Sequence, residues 1–435
     1  MSHLDHPIDD ASARALASQG LRLEVVDTSD SGVFDAWLQA DLRGFHSETA
    51  PDQLPRLREA YAYRRTTGVY DDAIAEPAAP VATVNSWPAE LTVAGERLMP
   101  AWAISSVTVS PTHRRRGVAR ALLEAELRTA AQLGLPLAML TVSESTLYGR
   151  YGFGPATFAS DYRIDTSRVR WTGPQPAGTV HVIGVDRYLD EAPALYDRVR
   201  LSDPGQMELW PLRWAEVANQ RDAASAEARR VRALRYDDAD GVARGYAVYD
   251  VTGGEQDFTA HTATLRFLVA DGLDAYAALW RYVLELPLVR TVVAPMRRTD
   301  EPVRWMLGDW RAASQSTTDH LWVRVLDLAT AFEGRAAASD GRIGLVVDDP
   351  SGLVSGDWHL VAEGGGFSVE RVSGFAADVP VLELDAAALG SLYLGGVQAA
   401  TLADAGRVVE RTAGSAAAAD ALLRSPRTPW LAVWF

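Results

Sequence analysis

Val107-Thr108-Val109-Ser110-Pro111-Thr112-His113-Arg114-Arg115-Arg116-Gly117-Val118-Ala119-Arg120 decides how the chain is read. Its β-branched start stops at Ser110-Pro111, and a basic turn containing a glycine follows. Ala121-Leu122-Leu123-Glu124-Ala125-Glu126-Leu127-Arg128 then has helical spacing and good helix formers. A strand that feeds a helix through such a turn aims several free backbone N–H groups, and the positive end of the helix dipole, at one spot. That geometry suits a pyrophosphate. Gly117 lets a backbone approach phosphates closely, and Ala119 keeps the helix start uncrowded. Taken alone, Arg-x-x-Gly-x-Ala also fits a surface loop in an arginine-rich chain, so the flanking elements have to decide.

Leu133-Gly134-Leu135-Pro136 supplies a helix stop, and Leu137-Ala138-Met139-Leu140-Thr141-Val142 reads as a buried strand. Leu147-Tyr148-Gly149-Arg150-Tyr151-Gly152-Phe153-Gly154 follows. Strand, basic loop, helix, strand and a Tyr-x-x-x-Gly-Phe turn, in that order, resemble the cofactor site of the GCN5-related N-acetyltransferases (GNAT). The resemblance implies acetyl-CoA as co-substrate. It would be held by Val107, Thr108, Val109, Arg114, Arg115, Arg116, Gly117, Val118 and Ala119.

At 435 residues the chain has room for two to four domains, and 48% hydrophobic with 23% charged residues is a globular composition. No apolar run approaches the ~20 residues of a membrane span. Residues 1–20 lack the hydrophobic core of a secretory signal and are expected to form a short disordered tail, with the cytoplasm as the default compartment. The absence of cysteine excludes disulfides, thiolate nucleophiles and Cys-based metal sites. His113 and His46 stand alone, and no His/Asp/Glu spacing suggests a metal. A net charge of −15 opposes nonspecific nucleic-acid binding and permits cationic substrates. All 42 basic side chains are arginine, in keeping with GC-rich codon usage.

Leu21–Val26 reads as a strand and Val33–Phe45 as a helix; Ala60–Tyr70, Pro80–Val93 and Met99–Val109 continue a sheet. This is a first mixed α/β unit, residues 21–160. A second unit, 161–320, repeats the scheme: a hairpin (Val231–Tyr236, Gly245–Tyr249), a strand (Thr262–Val269), a helix (Asp274–Leu284) and a strand (Val289–Ala294). Its turn, Ala270-Asp271-Gly272-Leu273-Asp274, carries acids where the first has arginines and would repel a pyrophosphate. The second unit is thus expected to be a degenerate copy. From Leu321 the texture becomes a small α+β unit, 321–435. It runs from a strand at Leu321–Leu328 through a helix at Ala329–Ala337 and strands near 341–347, 356–363 and 366–372. Helices at Asp385–Leu394 and Ala416–Leu423 complete it. It looks like the sterol-carrier-protein fold.

The chain ends Thr428-Pro429-Trp430-Leu431-Ala432-Val433-Trp434-Phe435, too apolar to be left in water. A packed tail carries its α-carboxylate inward, where the charge needs a partner or a task. One reading is a last strand whose carboxylate meets an arginine; the other is a desolvated base. The whole layout resembles the Eis (enhanced intracellular survival) family: an active GNAT unit, a degenerate copy, then a carrier-like unit. The resemblance implies a tyrosine at Tyr148 as general acid and the C-terminal carboxylate, here on Phe435, as general base. It also implies repeated acetylation of aminoglycosides and other polyamines, and assembly as a hexamer. Asp35, Phe45, Trp214 and Asp327 are the matching pocket positions. One departure stands out: members of the family have an acid before the terminal phenylalanine, and here that residue is Trp434. The competing reading is an apolar-ligand carrier whose acetyltransferase unit is regulatory or inert.

Overall fold

The computed structural model describes residues 2–435, and Met1 lies outside them. The first unit opens with α1 (Asp10–Ala17), β1 (Leu21–Val25), α2 (Ser31–Gly44), α3 (Leu54–Tyr61) and β2 (Arg65–Asp71). It continues through β3 (Ala82–Val93), β4 (Arg97–Val109), α4 (Val118–Gln132), β5 (Leu137–Thr141), α5 (Ser145–Tyr148) and β6 (Gly154–Pro155). The first unit's chain runs out into β7 (Phe158–Asp165), and the second holds β8 (Thr179–Ile183), α6 (Val185–Val199), α7 (Pro211–Val217), α8 (Ala226–Arg230) and β9 (Arg232–Asp237). Then come β10 (Ala243–Thr252), β11 (His261–Ala270), α9 (Leu273–Leu284), β12 (Val289–Arg297) and β13 (Ala313–Asp319). The rest is β14 (Leu321–Val325), α10 (Leu328–Glu333), β15 (Gly341–Asp348), β16 (Gly356–Glu363), β17 (Gly366–Val372) and β18 (Val381–Asp385), followed by α11 (Ala386–Tyr393), α12 (Ala399–Asp404), β19 (Val408–Glu410) and α13 (Ser415–Leu423).

Two sheets of seven strands and one of five organise these elements among the described residues. The first runs β1-β2-β3-β4-β5-β14-β6, the second β13-β7-β12-β11-β10-β9-β8, and the third β17-β16-β15-β18-β19. The first two sheets therefore exchange strands. β7 leaves the first unit to lie between β12 and β13, and β14 leaves the second to lie between β5 and β6.

Within each of these sheets a fork forms at the same place. β4 and β5 run parallel and paired only over Ala101–Ala103 and Leu137–Met139, then part. β11 and β12 pair only from His261 to Thr264. Just beyond each pairing the sheet carries a bulge, with Ser106 at φ +57° in β4 and Arg266 as the extra residue in β11. The duplication expected from the strand–turn–helix–strand order is thus a duplication of the fork itself.

Three expectations are corrected. Residues 3–17 are not a disordered tail, because α1 docks on α4: Leu16 is buried, the Ser12 hydroxyl donates to the Ala121 carbonyl (2.7 Å), and Arg128 pairs with Asp9 (2.9 Å). The stretch 60–64 is the end of α3 and a turn, since α3 begins at Leu54-Pro55 with proline in its first turn and runs through Tyr61. The strand at Leu321 belongs to the first sheet as β14, so the third unit begins after it. Both flanking faces of that strand are used. Arg324 reaches Asp349 in a buried pair (2.6 Å), and α11 packs on β14 through two glycines. A Cβ on Gly154 would meet the Ala387 carbonyl at 1.9 Å, and one on Gly390 would meet the Val323 carbonyl at 2.1 Å. Gly390→Ala is therefore expected to destabilise the fold by at least about 1–3 kcal/mol, read as a lower denaturant midpoint.

Candidate active site at the first fork

Past Ala103, β4 has lost β5 as a neighbour, so backbone groups on that edge of Val107–Val109 face the gap rather than a partner strand. The loop that follows turns twice through left-handed backbone. Arg115 has φ +63° and Gly117 φ +77°, and a Cβ on Gly117 would meet nothing within 4 Å, so the space beside it is open. α4 then begins at Val118 with no acidic residue in its first turn, leaving its N-terminal N–H groups and dipole unopposed. Arg114 and Arg115 are exposed and form no ion pair among the described residues. Arg116 is committed elsewhere, donating to the Gln19 carbonyl (3.2 Å) and lying 4.0 Å from Asp71. His113 is buried and bonds Asp71 (2.9 Å), which braces the loop; the hydrogen bond from His113 leads the effects that hold the Asp71 carboxyl below its usual range. An open cradle, an uncapped helix and two free guanidinium groups fit a pyrophosphate. Val118 is buried and Ala119 half-buried, so these two support the helix start.

The second fork has the shape without the charge. Its turn places Asp271 in an ion pair with Arg244 (2.9 Å), and Asp274 lies in the first turn of α9. A cavity of about 660 Å³ opens there, floored by Phe267, Val269 and Trp430.

On the far side of the first fork stands Tyr148, at the end of α5. Its ring is buried and meets Phe153 edge-on, and its hydroxyl is not among the sealed, unpartnered atoms of the described residues. Burial, helped by Glu144 and Tyr151, pushes its pKa up to about 12, so the phenol keeps its proton throughout the physiological range.

The C-terminal tail reaches the same place. The Arg427 guanidinium pairs with Asp203 (3.2 Å), Thr428 Oγ1 donates to Asp300 (2.8 Å), and the Trp430 N–H donates to the Pro204 carbonyl (3.0 Å). Leu431 and Val433 are buried. His320 Nε2 donates to the Val433 carbonyl (2.8 Å), and its ring meets Trp434 edge-on at 4.5 Å. Phe435 ends on β5: Thr141 Oγ1 donates to a carboxylate oxygen at 2.9 Å. The tail is irregular rather than a last strand, and no arginine or histidine of the described residues pairs with its carboxylate.

The four expected pocket positions are each engaged with different neighbours. Trp214 is buried among Tyr188, Tyr196 and Phe267 in the core of the second unit. Asp327 caps α10 by accepting from the Thr330 N–H (3.1 Å). Asp35 pairs with Arg58 across α2 and α3 (3.0 Å), and Phe45 is exposed at the end of α2. His46, next to Phe45, sits in left-handed backbone (φ +52°).

What sequence reasoning missed lies between them. Arg64, 3% exposed, has its guanidinium carbon 3.9 Å from the Trp87 ring centre, 4.5 Å from Tyr61, 4.9 Å from Trp210 and 5.3 Å from Tyr63. Trp87 in turn meets the Phe435 ring edge-on at 5.8 Å. Arg64 Nη1 donates to Asn85 Oδ1 (3.3 Å), Asn85 Nδ2 to Ser106 Oγ (3.0 Å), and Ser106 Oγ to Asp41 (3.2 Å). Burial raises Asp41 to about 7, against the hydrogen bond from Ser106 and the charge of Arg64. The only signal in the sequence was the density of aromatics around 61–64, and nothing local tied them to Trp87, Trp210 and the chain end.

Known proteins share these features. The acetyltransferase (GNAT) domain pattern matches residues 26–156 and a second such pattern matches 205–325, with a sterol carrier protein domain at 326–432. A Streptomyces avermitilis protein named an uncharacterized N-acetyltransferase is 33% identical over 407 residues, 91% of this chain and 94% of that one. The N-acetyltransferase Eis of Mycobacterium tuberculosis is 32% identical over 330 residues, 73% of this chain and 76% of its own. The chain belongs to the Eis family of GNAT acetyltransferases. The crystal structure of Eis1 from Mycobacterium abscessus superposes with a TM-score of 0.80 at 26% identity, covering 95% of this chain and all of that one. As an Eis-family protein it is an acyltransferase, and acetyl-CoA is the co-substrate of its GNAT fold. No helix of the described residues is long and apolar enough to cross a membrane.

His320 is the post that holds the chain end of this Eis-family enzyme. Burial lowers its pKa to about 4 from an ordinary 6.5, so the unfolded chain takes up the proton first as pH falls. The stability this contributes is whole above pH 6.5 and is lost between 6.5 and 4, on the order of 3 kcal/mol. Denaturant unfolding across that range should show wild type losing that much more than His320→Gln, whose amide keeps a donor for Val433.

Proposed function

We propose that the chain transfers the acetyl group of acetyl-CoA to the amine of a small molecule, with the Phe435 carboxylate as general base and Tyr148 as general acid. The observation that carries this reading is a terminal carboxylate tied to Thr141 past the β4–β5 pairing, with no cation of the described residues paired to it. Val107–Val109, Arg114, Arg115 and the start of α4 would receive the pantetheine arm and pyrophosphate. An amine near neutral pH is mostly ammonium and must shed a proton before it attacks the thioester carbon, and the carboxylate can take it. As the C–N bond forms, nitrogen loses a second proton and the C–S bond breaks. The departing sulfur receives a proton from Tyr148, leaving one proton released to solvent overall. A phenol at about 12 parts with that proton only as charge builds on the sulfur, and one of the two protons shed by nitrogen restores it.

Polycationic amines such as aminoglycosides, acetylated at several positions by a cytoplasmic hexamer, are the acceptors and setting that the family resemblance suggests, and the net charge of −15 suits them. Asp35, Phe45, Trp214 and Asp327 are the acceptor contacts that the same resemblance implies, whereas Arg64 favours a different acceptor class. The carrier reading is not favoured by the third unit's core, where Phe332 packs edge to face against Phe367 and Tyr393.

The reading is tested by thiol release from acetyl-CoA with a panel of aminoglycosides, polyamines, arylalkylamines and a lysine peptide, with product masses to count acetyl groups. The protein has no cysteine to give a background. Tyr148→Phe should lower kcat by about 10²-fold or more with the apparent KM for acetyl-CoA little changed. An unaltered kcat would remove Tyr148 from the mechanism. Residues added after Phe435 should abolish turnover where the same tag at the N-terminus does not, and full activity of the extended chain would sink the terminal base.

A further inference from the structure

The acceptor side of the fork is walled by the end of α3, by β3, by the start of α7 and by the chain terminus, which is where Tyr61, Tyr63, Trp87, Trp210 and Phe435 meet. Such a ring of aromatic faces is what a cationic ligand would need. Here the chain fills it with its own cation. Arg64 is buried, yet no carboxylate of the described residues lies within ion-pair distance of it. Asp41 is reached only through Asn85 and Ser106, and the Phe435 carboxylate is held by Thr141. Arg213, stacked on Trp210, is already paired with Glu216 (2.8 Å).

The guanidinium is also incompletely used. Nε donates to the Tyr63 hydroxyl (3.0 Å) and Nη1 to Asn85, but Nη2 has no partner among the described residues and is not among their sealed, unpartnered atoms. A buried cation is costly unless it is paired, and a fork of N–H donors with one arm free is shaped for a carboxylate.

We propose that Arg64 binds a carboxylate on the acceptor, so that the enzyme acetylates carboxylate-bearing primary amines, amino acids or short peptides, in preference to polycations. This rests on the amine-acetylation reading and narrows its substrate class; bonds made and broken are those given above. The aromatic faces hold the guanidinium in place and exclude water, which strengthens the pairing, while the acceptor's amine is left to the Phe435 carboxylate.

The test is kcat/KM for matched pairs that differ only by a carboxylate: phenylalanine and phenethylamine, lysine and cadaverine, and ω-amino acids of several lengths against their alkylamines. Wild type should favour the carboxylate-bearing member of at least one pair by tenfold or more. Arg64→Met should collapse that ratio through KM, and Arg64→Lys should restore part of it. Equal rates within every pair, a preference for aminoglycosides, or a variant that lowers both members alike would overturn the proposal. If no acceptor releases thiol, the transfer reading itself has failed. Calorimetric titration of wild type and Arg64→Met with the same pairs then decides the carboxylate site on its own, since binding of the carboxylate member to wild type alone upholds it and equal binding refutes it.

Discussion

Two chain segments cross at Thr157 and His320, and the arrangement of the molecule depends on that crossing. The His320 N–H donates to the Thr157 carbonyl, the Ala156 and Thr157 N–H groups donate to Leu321, and the Thr157 hydroxyl accepts from Leu321 N–H. Each segment passes from one sheet to the other at this point. Neither sheet is complete without a strand from the other half of the chain, so the two halves cannot separate as ordinary tandem domains do. The third unit is drawn in as well, because β14 enters the first sheet and then carries α11 against its own face. The same His320 grips the tail, so the exchange of strands and the delivery of the chain end are one construction.

Duplication has kept the mechanics of the fork in both halves and altered only its chemistry. The parting strands, the bulge and the helix that follows recur, because they are set by backbone pairing that many side chains can satisfy. The turn is different. Free arginines and an open glycine in the first become an acid paired with Arg244 in the second, and the change of sign suffices to separate a phosphate cradle from its structural twin. The retired fork still has work near the tail, for Trp430 lines its cavity on the way to Phe435.

This division also explains what could be read from the residues alone. The loop at 110–117, α4 and the Tyr148 turn were legible because their signals are local: a glycine needing left-handed backbone, a helical period, a stop. The degenerate copy was legible from an acidic turn between a strand and a helix. The strand exchange was not, since Leu321–Val325 looks the same whichever sheet it joins. Nor was α1, whose burial depends on Ala121 and Arg128, more than a hundred residues away. Trp210 and Trp214 make the same point within a single turn of chain. One meets Trp87 of the first unit and the other Tyr196 in the core of the second, a choice fixed by how α7 docks and by nothing in its own composition.

The terminal base proposed for this reaction imposes a further condition on its surroundings. Its carboxylate must stay near a substrate ammonium without being claimed by the protein's own cations, in a chain that carries 42 arginines. Arg64 shares a packing neighbour, Trp87, with the Phe435 ring, and a direct ion pair between guanidinium and terminal carboxylate would lower the base's affinity for a proton. Trp87 contacts both side chains, with the guanidinium carbon 3.9 Å from its ring centre and the ring of Phe435 meeting it edge-on at 5.8 Å. The indole satisfies the cation without neutralising it and packs the tail without engaging its charge. Separate positive and negative groups are what the proposed zwitterionic acceptor requires, and a single aromatic residue packs against the side chains that carry both.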